Sequence, residues 1–389
     1  MKKKVAILGS TGSIGKCVIN ILKKDKKKFE ILLLTANTNY IELIKQAKLF
    51  NVKNLLITDK KTFDKVINKY QKKTKINFHN NYDSLDKIFK KRKIDYTMSA
   101  MSGLNGLDPT LKIIQFTKNI AIANKESIIC GWNLINKKLK KYKTSFIPID
   151  SEHFSIWSLL DRKINNNIEK IFITASGGPF YKYPLNKFKL ITPKLALKHP
   201  NWKMGKKISI DSSTMMNKVF EIMEAKKIFN LDYNKLSIFL HTDSYIHAIV
   251  KFNNGLTKIL IHDTNMTIPI FNSLYPNSER KIKSKKLNIN VINNLNLQKI
   301  DHKRFPVVKI LKKLPSNHSL FETIIVAAND RLVKLFLEKK ITYLDISKFL
   351  LKIIKDKDLK KYKLIKPKNI DEIMKLSDYV SLKIDLLSI

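Results

Sequence analysis

The chain has 389 residues, more than a single hydrophobic core usually serves, so two or three domains are expected. Hydrophobic residues make up 44%, which suits a globular protein and excludes wholesale disorder. The formal charge of +43 admits a nucleic-acid reading, yet only five basic residues are the base-reading Arg (Arg92, Arg162, Arg280, Arg304, Arg331). The lysines lie scattered in short runs, and Lys, Ile and Asn are abundant together, as AT-rich codon usage would produce. No apolar run approaches the roughly 20 residues of a membrane span. Val5 to Leu8 begins almost at once and Gly9 cuts the apolar run short, so a chain that is cytoplasmic, or already stripped of any leader, is expected. Cys17 and Cys130 make no disulfide framework or metal cluster and read as small buried residues.

Lys3 to Leu8 reads as a buried strand running into Gly9-Ser10-Thr11-Gly12-Ser13-Ile14-Gly15. Ile14, Val18, Ile21 and Leu22 then recur at helical spacing. Strand, Gly-rich turn and helix is the context of a dinucleotide-binding turn, whose helix N-terminus offers free N–H groups to a pyrophosphate. The spacing is Gly-x-x-Gly-x-x-Gly, so a purely structural turn stays open at this point. Phe29 to Thr35 reads as the second strand. It continues into Ala36-Asn37-Thr38-Asn39 with no carboxylate for a ribose 2′-hydroxyl, which favours NADP over NAD. Strands at Asn54 to Ile57, Tyr96 to Ser99 and Ile120 to Ala123 alternate with helical stretches such as Leu85 to Lys91. That alternation predicts an α/β fold with a doubly wound parallel sheet, a Rossmann-like N-terminal domain.

Ala123-Asn124-Lys125-Glu126-Ser127 follows a strand-like run and places polar groups at the carboxyl edge of the sheet. Phe146 to Ile149 leads into Asp150-Ser151-Glu152-His153. If that segment is extended, Asp150 and Glu152 share a side and suit Mg²⁺ or Mn²⁺; the alternative is a helix N-cap at Asp150 with flanking acids. Thr174-Ala175-Ser176-Gly177-Gly178-Pro179-Phe180, after a strand at Ile171 to Ile173, is a small-residue loop of the kind that cradles phosphates. His199-Pro200-Asn201-Trp202-Lys203-Met204-Gly205 and Asp211 to Glu221 follow. Ser212, Asn217 and Lys218 suit an anionic phosphate, and Glu221 lies one helical turn beyond Asn217 and Lys218.

In order and spacing, Gly9 to Gly15, Ala123 to Ser127, Asp150 to His153, Ser176 to Phe180, His199 to Gly205 and Asp211 to Glu221 resemble the motifs of deoxyxylulose-phosphate reductoisomerases. The resemblance runs from the first strand to the C-terminal helices. It implies rearrangement of deoxyxylulose phosphate and reduction by NADPH to methylerythritol phosphate, an early step of non-mevalonate isoprenoid synthesis. By the same resemblance Asp150, Glu152 and Glu221 match metal ligands for Mg²⁺ or Mn²⁺, with Co²⁺ a further candidate. Ser176, Ser212, Asn217 and Lys218 match the phosphate site, and Lys125 and Ser151 match contacts to the substrate backbone. His199 to Met204 matches a mobile flap in which Trp202 covers the substrate. Lys125, Asp150, Glu152, His199 and Glu221 are thus the expected catalytic set. Expected cofactor contacts are Gly9, Ser10, Thr11, Gly12, Ser13, Ile14, Gly15, Asn37, Thr38, Asn39, Asn124, Glu126, Met204 and Gly205. His153 and His247 fall at family histidines without an assigned role, and His79, His241, His262, His302 and His318 receive none.

The chain departs from the family's pattern at Val219, where Gly is usual, at His241-Thr242-Asp243-Ser244, at Asp263 to Thr267 and at Asn329-Asp330. A β-branched residue at position 219 is tolerated only if the backbone there is helical. Tyr275 to Phe305 reads as a connection. Leu320 to Leu337, Asp345 to Ile354 and Asp371 to Leu387 read as amphipathic helices, with Asp345 a candidate cap and Ile373, Leu376, Val380, Ile384 and Leu387 one apolar stripe. The expected division is an NADP-binding domain 1–149, a central α+β catalytic domain 150–276, a linker 277–304 and a C-terminal helical bundle 305–389, in a homodimer acting on a small phosphorylated sugar. Two other readings remain: an NADP oxidoreductase of semialdehyde-dehydrogenase type, which would want a catalytic Cys, and a basic nucleic-acid-binding protein.

Overall fold

Seven apolar segments in the first 150 residues assemble into one sheet. They are β1 (Lys3–Leu8), β2 (Phe29–Ala36), β3 (Asn54–Ile57), β4 (Asn77–His79), β5 (Ile94–Ser99), β6 (Thr117–Ile122) and β7 (Ser145–Pro148). The computed structural model describes residues 1–90, 93–162, 167–199, 202, 204–276 and 280–388. The strand order is β4-β3-β2-β1-β5-β6-β7, and every pairing is parallel. Val5, Ala6, Ile7 and Leu8 are all fully buried, the mark of a strand covered on both faces. The order reverses between β1 and β5, and the Gly-rich turn leaves the carboxyl end of β1 at that switch point, where open α/β sheets bind ligands.

A second sheet has the order β11-β10-β8-β9, from β8 (Ile168–Ala175), β9 (Leu236–Leu240), β10 (Ile246–Phe252) and β11 (Thr257–Ile261). β8 and β9 run parallel, and β10 is antiparallel to both β8 and β11. Contacts divide the chain into two compact units. The first is Met1–Ile128, Asn133–Asp150 and Met266–Ile282; the second is Ile129–Trp132, Ser151–Asn265 and Lys283–Ile389. The helix Thr267–Leu274 belongs to the first unit, where Ser273 Oγ lies 2.7 Å from the buried Tyr96 hydroxyl.

Three helices end the chain, Phe321–Leu337, Tyr343–Ile353 and Ile370–Ser388, close to the predicted spans. Ile373, Leu376, Val380 and Ile384 are buried as the stripe requires, while Leu387 is half-buried. Asp345 is not the cap of its helix. Thr342 is the N-cap and Asp345 the third helical residue of a reciprocal capping box. The helix expected over Leu85 to Lys91 spans Leu85–Ile88, and Lys91 lies outside the described residues. The connection after Tyr275 contains a short helix, Ile289–Asn293, and Gln298 forms a bridge with Leu240. Val219 is buried inside the helix Met216–Phe229, so its β-branch meets ordinary helical backbone.

Candidate active site

In the first unit, close packing dictates two glycines of the turn, Gly9 and Gly15. Gly9 has φ +78°, and a Cβ added there would stand 2.8 Å from the Ala100 carbonyl oxygen. At Gly15 an added Cβ would lie 2.3 Å from the Gly9 carbonyl oxygen, because the helix Ser13–Lys24 presses directly on the loop. Gly12 caps that helix and has no side chain to accept from the first-turn N–H groups of Ser13, Ile14 and Gly15. Thr35 at the end of β2 fixes the loop: its Oγ1 accepts from Gly9 N at 2.9 Å and its carbonyl from Ser10 N at 2.9 Å. Ser10 is fully buried, so its hydroxyl faces inward, whereas Gly12 and Ser13 are exposed.

Asn37, Thr38 and Asn39 are exposed beyond β2. Asn37 donates to Thr58 Oγ1 at 2.9 Å, and Asn39 caps the helix Tyr40–Phe50 by accepting from Glu42 N. Asn124 caps the helix Lys125–Tyr142 and donates to the carbonyls of Met101 at 2.5 Å and Gly103 at 2.6 Å. Lys125, almost buried, forms an ion pair with Asp150, and Glu126 is buried beside it in the chain. Sequence reasoning missed Tyr82, whose hydroxyl donates to Thr35 Oγ1 at 3.2 Å and so braces the residue that fixes the Gly-rich loop.

In the second unit the segment after Asp150 is not extended. The helix Ser151–Leu159 starts there, which puts Glu152 in its first turn and Asp150 at its N-terminal boundary. Glu152 and Glu221, both buried, offer carboxylate oxygens within 4.8 Å of each other. Lys218 bridges them, donating to Glu152 and, at 2.6 Å, to Glu221 Oε2. Asn217 donates to Glu221 Oε1 at 2.5 Å, so the predicted convergence of Asn217, Lys218 and Glu221 is present. His153, next to Glu152, reaches the backbone carbonyl of Glu221 at 2.8 Å and ties the two carboxylate-bearing helices together. Ser151 donates to Glu152.

A second cluster forms around His199. Its Nε2 lies 3.2 Å from Ser176 Oγ and 3.1 Å from Ser212 Oγ, and its Nδ1 accepts from Trp202 N at 3.0 Å. Because Nδ1 is an acceptor, the neutral ring carries its proton on Nε2, facing the two serines. Burial, reinforced by the Lys218 charge, lowers the His199 pKa to about 4, so the ring is neutral near pH 7. Trp202 packs edge-on against His247, which stacks on His262 with centroids 3.7 Å apart. Gly205 begins the helix Lys206–Thr214 and Met204 precedes it, half-buried. Pro200, Asn201 and Lys203 of the expected flap lie outside the described residues.

Residues 5–131 match the family described as 1-deoxy-D-xylulose 5-phosphate reductoisomerase, residues 146–229 its C-terminal domain, and residues 262–381 the DXP reductoisomerase C-terminal domain. The chain belongs to the 1-deoxy-D-xylulose 5-phosphate reductoisomerase family. The family member of Pelagibacter ubique (strain HTCC1062) is 64% identical over 388 residues, covering 100% of both chains. That of Wolbachia sp. subsp. Drosophila simulans (strain wRi) is 39% identical and covers 88% of each. The solved Zymomonas mobilis reductoisomerase in complex with NADPH superposes with a TM-score of 0.87 at 29% identity, covering 100% of this chain and 99% of that one. A DOX-P reductoisomerase in complex with NADPH, fosmidomycin and magnesium gives 0.88 at 27% identity, covering 99% and 97%. Membership leaves the semialdehyde-dehydrogenase and nucleic-acid readings without support.

Proposed function

We propose that this protein converts 1-deoxy-D-xylulose 5-phosphate to 2-C-methyl-D-erythritol 4-phosphate, using NADPH and a divalent metal. The observation that carries the reading is the meeting of Glu152 and Glu221 on one ammonium, in a family whose members are solved with NADPH and magnesium. Two buried carboxylates held together by a cation are hard oxygen donors that fit Mg²⁺, and Asp150 stands two residues before Glu152 in the chain. Asp150, Glu152 and Glu221 are therefore the proposed ligands, with Mn²⁺ or Co²⁺ as substitutes. When bound, the metal supplies polarisation of substrate oxygens and NADPH supplies the hydride.

The chain's own groups bind and orient. Ser176 and Ser212 present hydroxyls to the phosphate, with the Nε2 proton of neutral His199 between them. Asn217 and Lys218 complete that site, and Lys125 and Ser151 orient the carbon backbone. Trp202 covers the substrate and excludes water. Gly9 to Gly15 take the pyrophosphate on the helix N-terminus; Asn37, Thr38 and Asn39 accept the 2′-phosphate; Asn124, Glu126, Met204 and Gly205 complete the cofactor contacts. The proposal extends to a homodimer in the cytoplasm. Among the described residues no helix is long and apolar enough to cross a membrane.

The test is NADPH oxidation with 1-deoxy-D-xylulose 5-phosphate, before and after chelation. Turnover should require the metal and return on adding Mg²⁺, and Glu221→Gln should cost at least about 100-fold. Undiminished activity in EDTA refutes the metal assignment.

A further inference from the structure

Ser212 sits near the C-terminal end of the helix Lys206–Thr214, and the residues on both sides of it are held by the helices that end the chain. On one side Asp211 is buried, and both its oxygens are paired. Its Oδ1 accepts from Asn329 Nδ2 at 2.7 Å and its Oδ2 from Lys207 Nζ at 3.0 Å. Asn329 is fully buried, and Lys207 also meets Asp330 at 3.0 Å. On the other side, the carbonyl of Ser213 accepts from the buried Tyr343 hydroxyl at 2.6 Å. The Tyr343 ring packs against Phe180, Phe188 and Phe336 at 5.2, 5.9 and 5.9 Å, so the hydroxyl is delivered from a rigid base.

The Ser176 loop meets the same backbone. A Cβ added at Gly178 would lie 3.0 Å from the Ser212 carbonyl oxygen and 3.1 Å from Ser213 Cα. Ser176 and Ser212 both stand within hydrogen-bond range of one imidazole nitrogen, an arrangement that tolerates little drift. A binding site keeps its geometry only if its supporting shell is locked. We propose that Asn329 and Tyr343 are positioning residues of the phosphate pocket, fixing the backbone on either side of Ser212 so that its hydroxyl and that of Ser176 face one phosphate. The proposal rests on the assignment of Ser176 and Ser212 to the substrate's phosphate.

The test uses the NADPH- and Mg²⁺-loaded enzyme. Tyr343→Phe removes one oxygen and keeps the aromatic packing. Asn329→Ala removes the donor to Asp211 while Lys207 remains. KM is measured for deoxyxylulose phosphate and for NADPH, with inhibition by inorganic phosphate and the melting temperature alongside. Each variant should raise KM for the phosphorylated substrate about tenfold, the effect of one lost hydrogen bond, and weaken inorganic phosphate in parallel. KM for NADPH should stay within about twofold, which separates positioning from general destabilisation. If Asn329→Ala does not fold, Tyr343→Phe decides alone. A lowered melting temperature with both KM values unchanged overturns the proposal, as does an equal rise in both. Failure of the unmodified enzyme to turn over deoxyxylulose phosphate would instead overturn the proposed function, and this inference with it.

Discussion

Lys218 has two demands on one ammonium. In the structure it neutralises Glu152 and Glu221, while its proposed task in the reaction is to hold a phosphate. A metal held by the same carboxylates would neutralise them in its place and would leave the ammonium for the phosphate. Lys218→Ala should then act in opposite directions on two ligands. A phosphonate analogue should bind more weakly by roughly 2–5 kcal/mol, the range for stripping one partner from a buried charged pair. Mg²⁺ should bind more tightly by about 1 kcal/mol or more, since it no longer displaces an internal cation from two buried carboxylates. Calorimetric titration of each ligand against both proteins checks this. Equal weakening of both ligands would show that Lys218 only holds the site together.

At the scale of the elements, the loop and helix proposed to receive the dinucleotide are locked by contact between backbones. Gly15→Ala must push its helix off the Gly9 carbonyl and should cost about 1–3 kcal/mol, with weaker NADPH binding. Gly12→Ala has φ −76° and an ordinary 3.5 Å neighbour, so it should cost less than about 1 kcal/mol. Thermal melting and NADPH titration of both variants compare them, and similar losses would contradict the packing argument. Much of this region was legible in the sequence, because β1, the turn and the helix carry their signals within a few residues. At Asp150 to Glu152 an extended segment and a helix start stayed open for the opposite reason: an apolar strand runs almost straight into a helix, and alternation cannot say where one stops. Thr342 was overlooked as a cap because Asp345, three residues on, is an equally good capping residue by type. The braces of the site were not legible at all. Tyr82 reaches Thr35 across 47 residues, Asn329 reaches Asp211 across 118 and Tyr343 reaches Ser213 across 130, separations that no local pattern records.

For the molecule as a whole, the question is what a net charge of +43 does in an enzyme whose proposed ligands are both anions. A positive field concentrates anionic ligands near the surface and raises association rates, and it is screened beyond a Debye length of about 8 Å at 0.15 M salt. The proposed chemical step lies at carboxylates buried from the solvent's ions, Glu152 and Glu221, so it should feel the salt far less. Raising NaCl from about 20 mM to about 300 mM should therefore lower kcat/KM for both NADPH and deoxyxylulose phosphate several-fold, while kcat changes less than about twofold. Steady-state kinetics across that range, repeated with extra sucrose to control for viscosity, measures the effect. If kcat/KM does not move with salt, the lysines do not steer the substrates and their number is a matter of codon usage alone. If kcat falls in step with kcat/KM, salt is disturbing the site itself, and the charge acts on catalysis instead of on encounter.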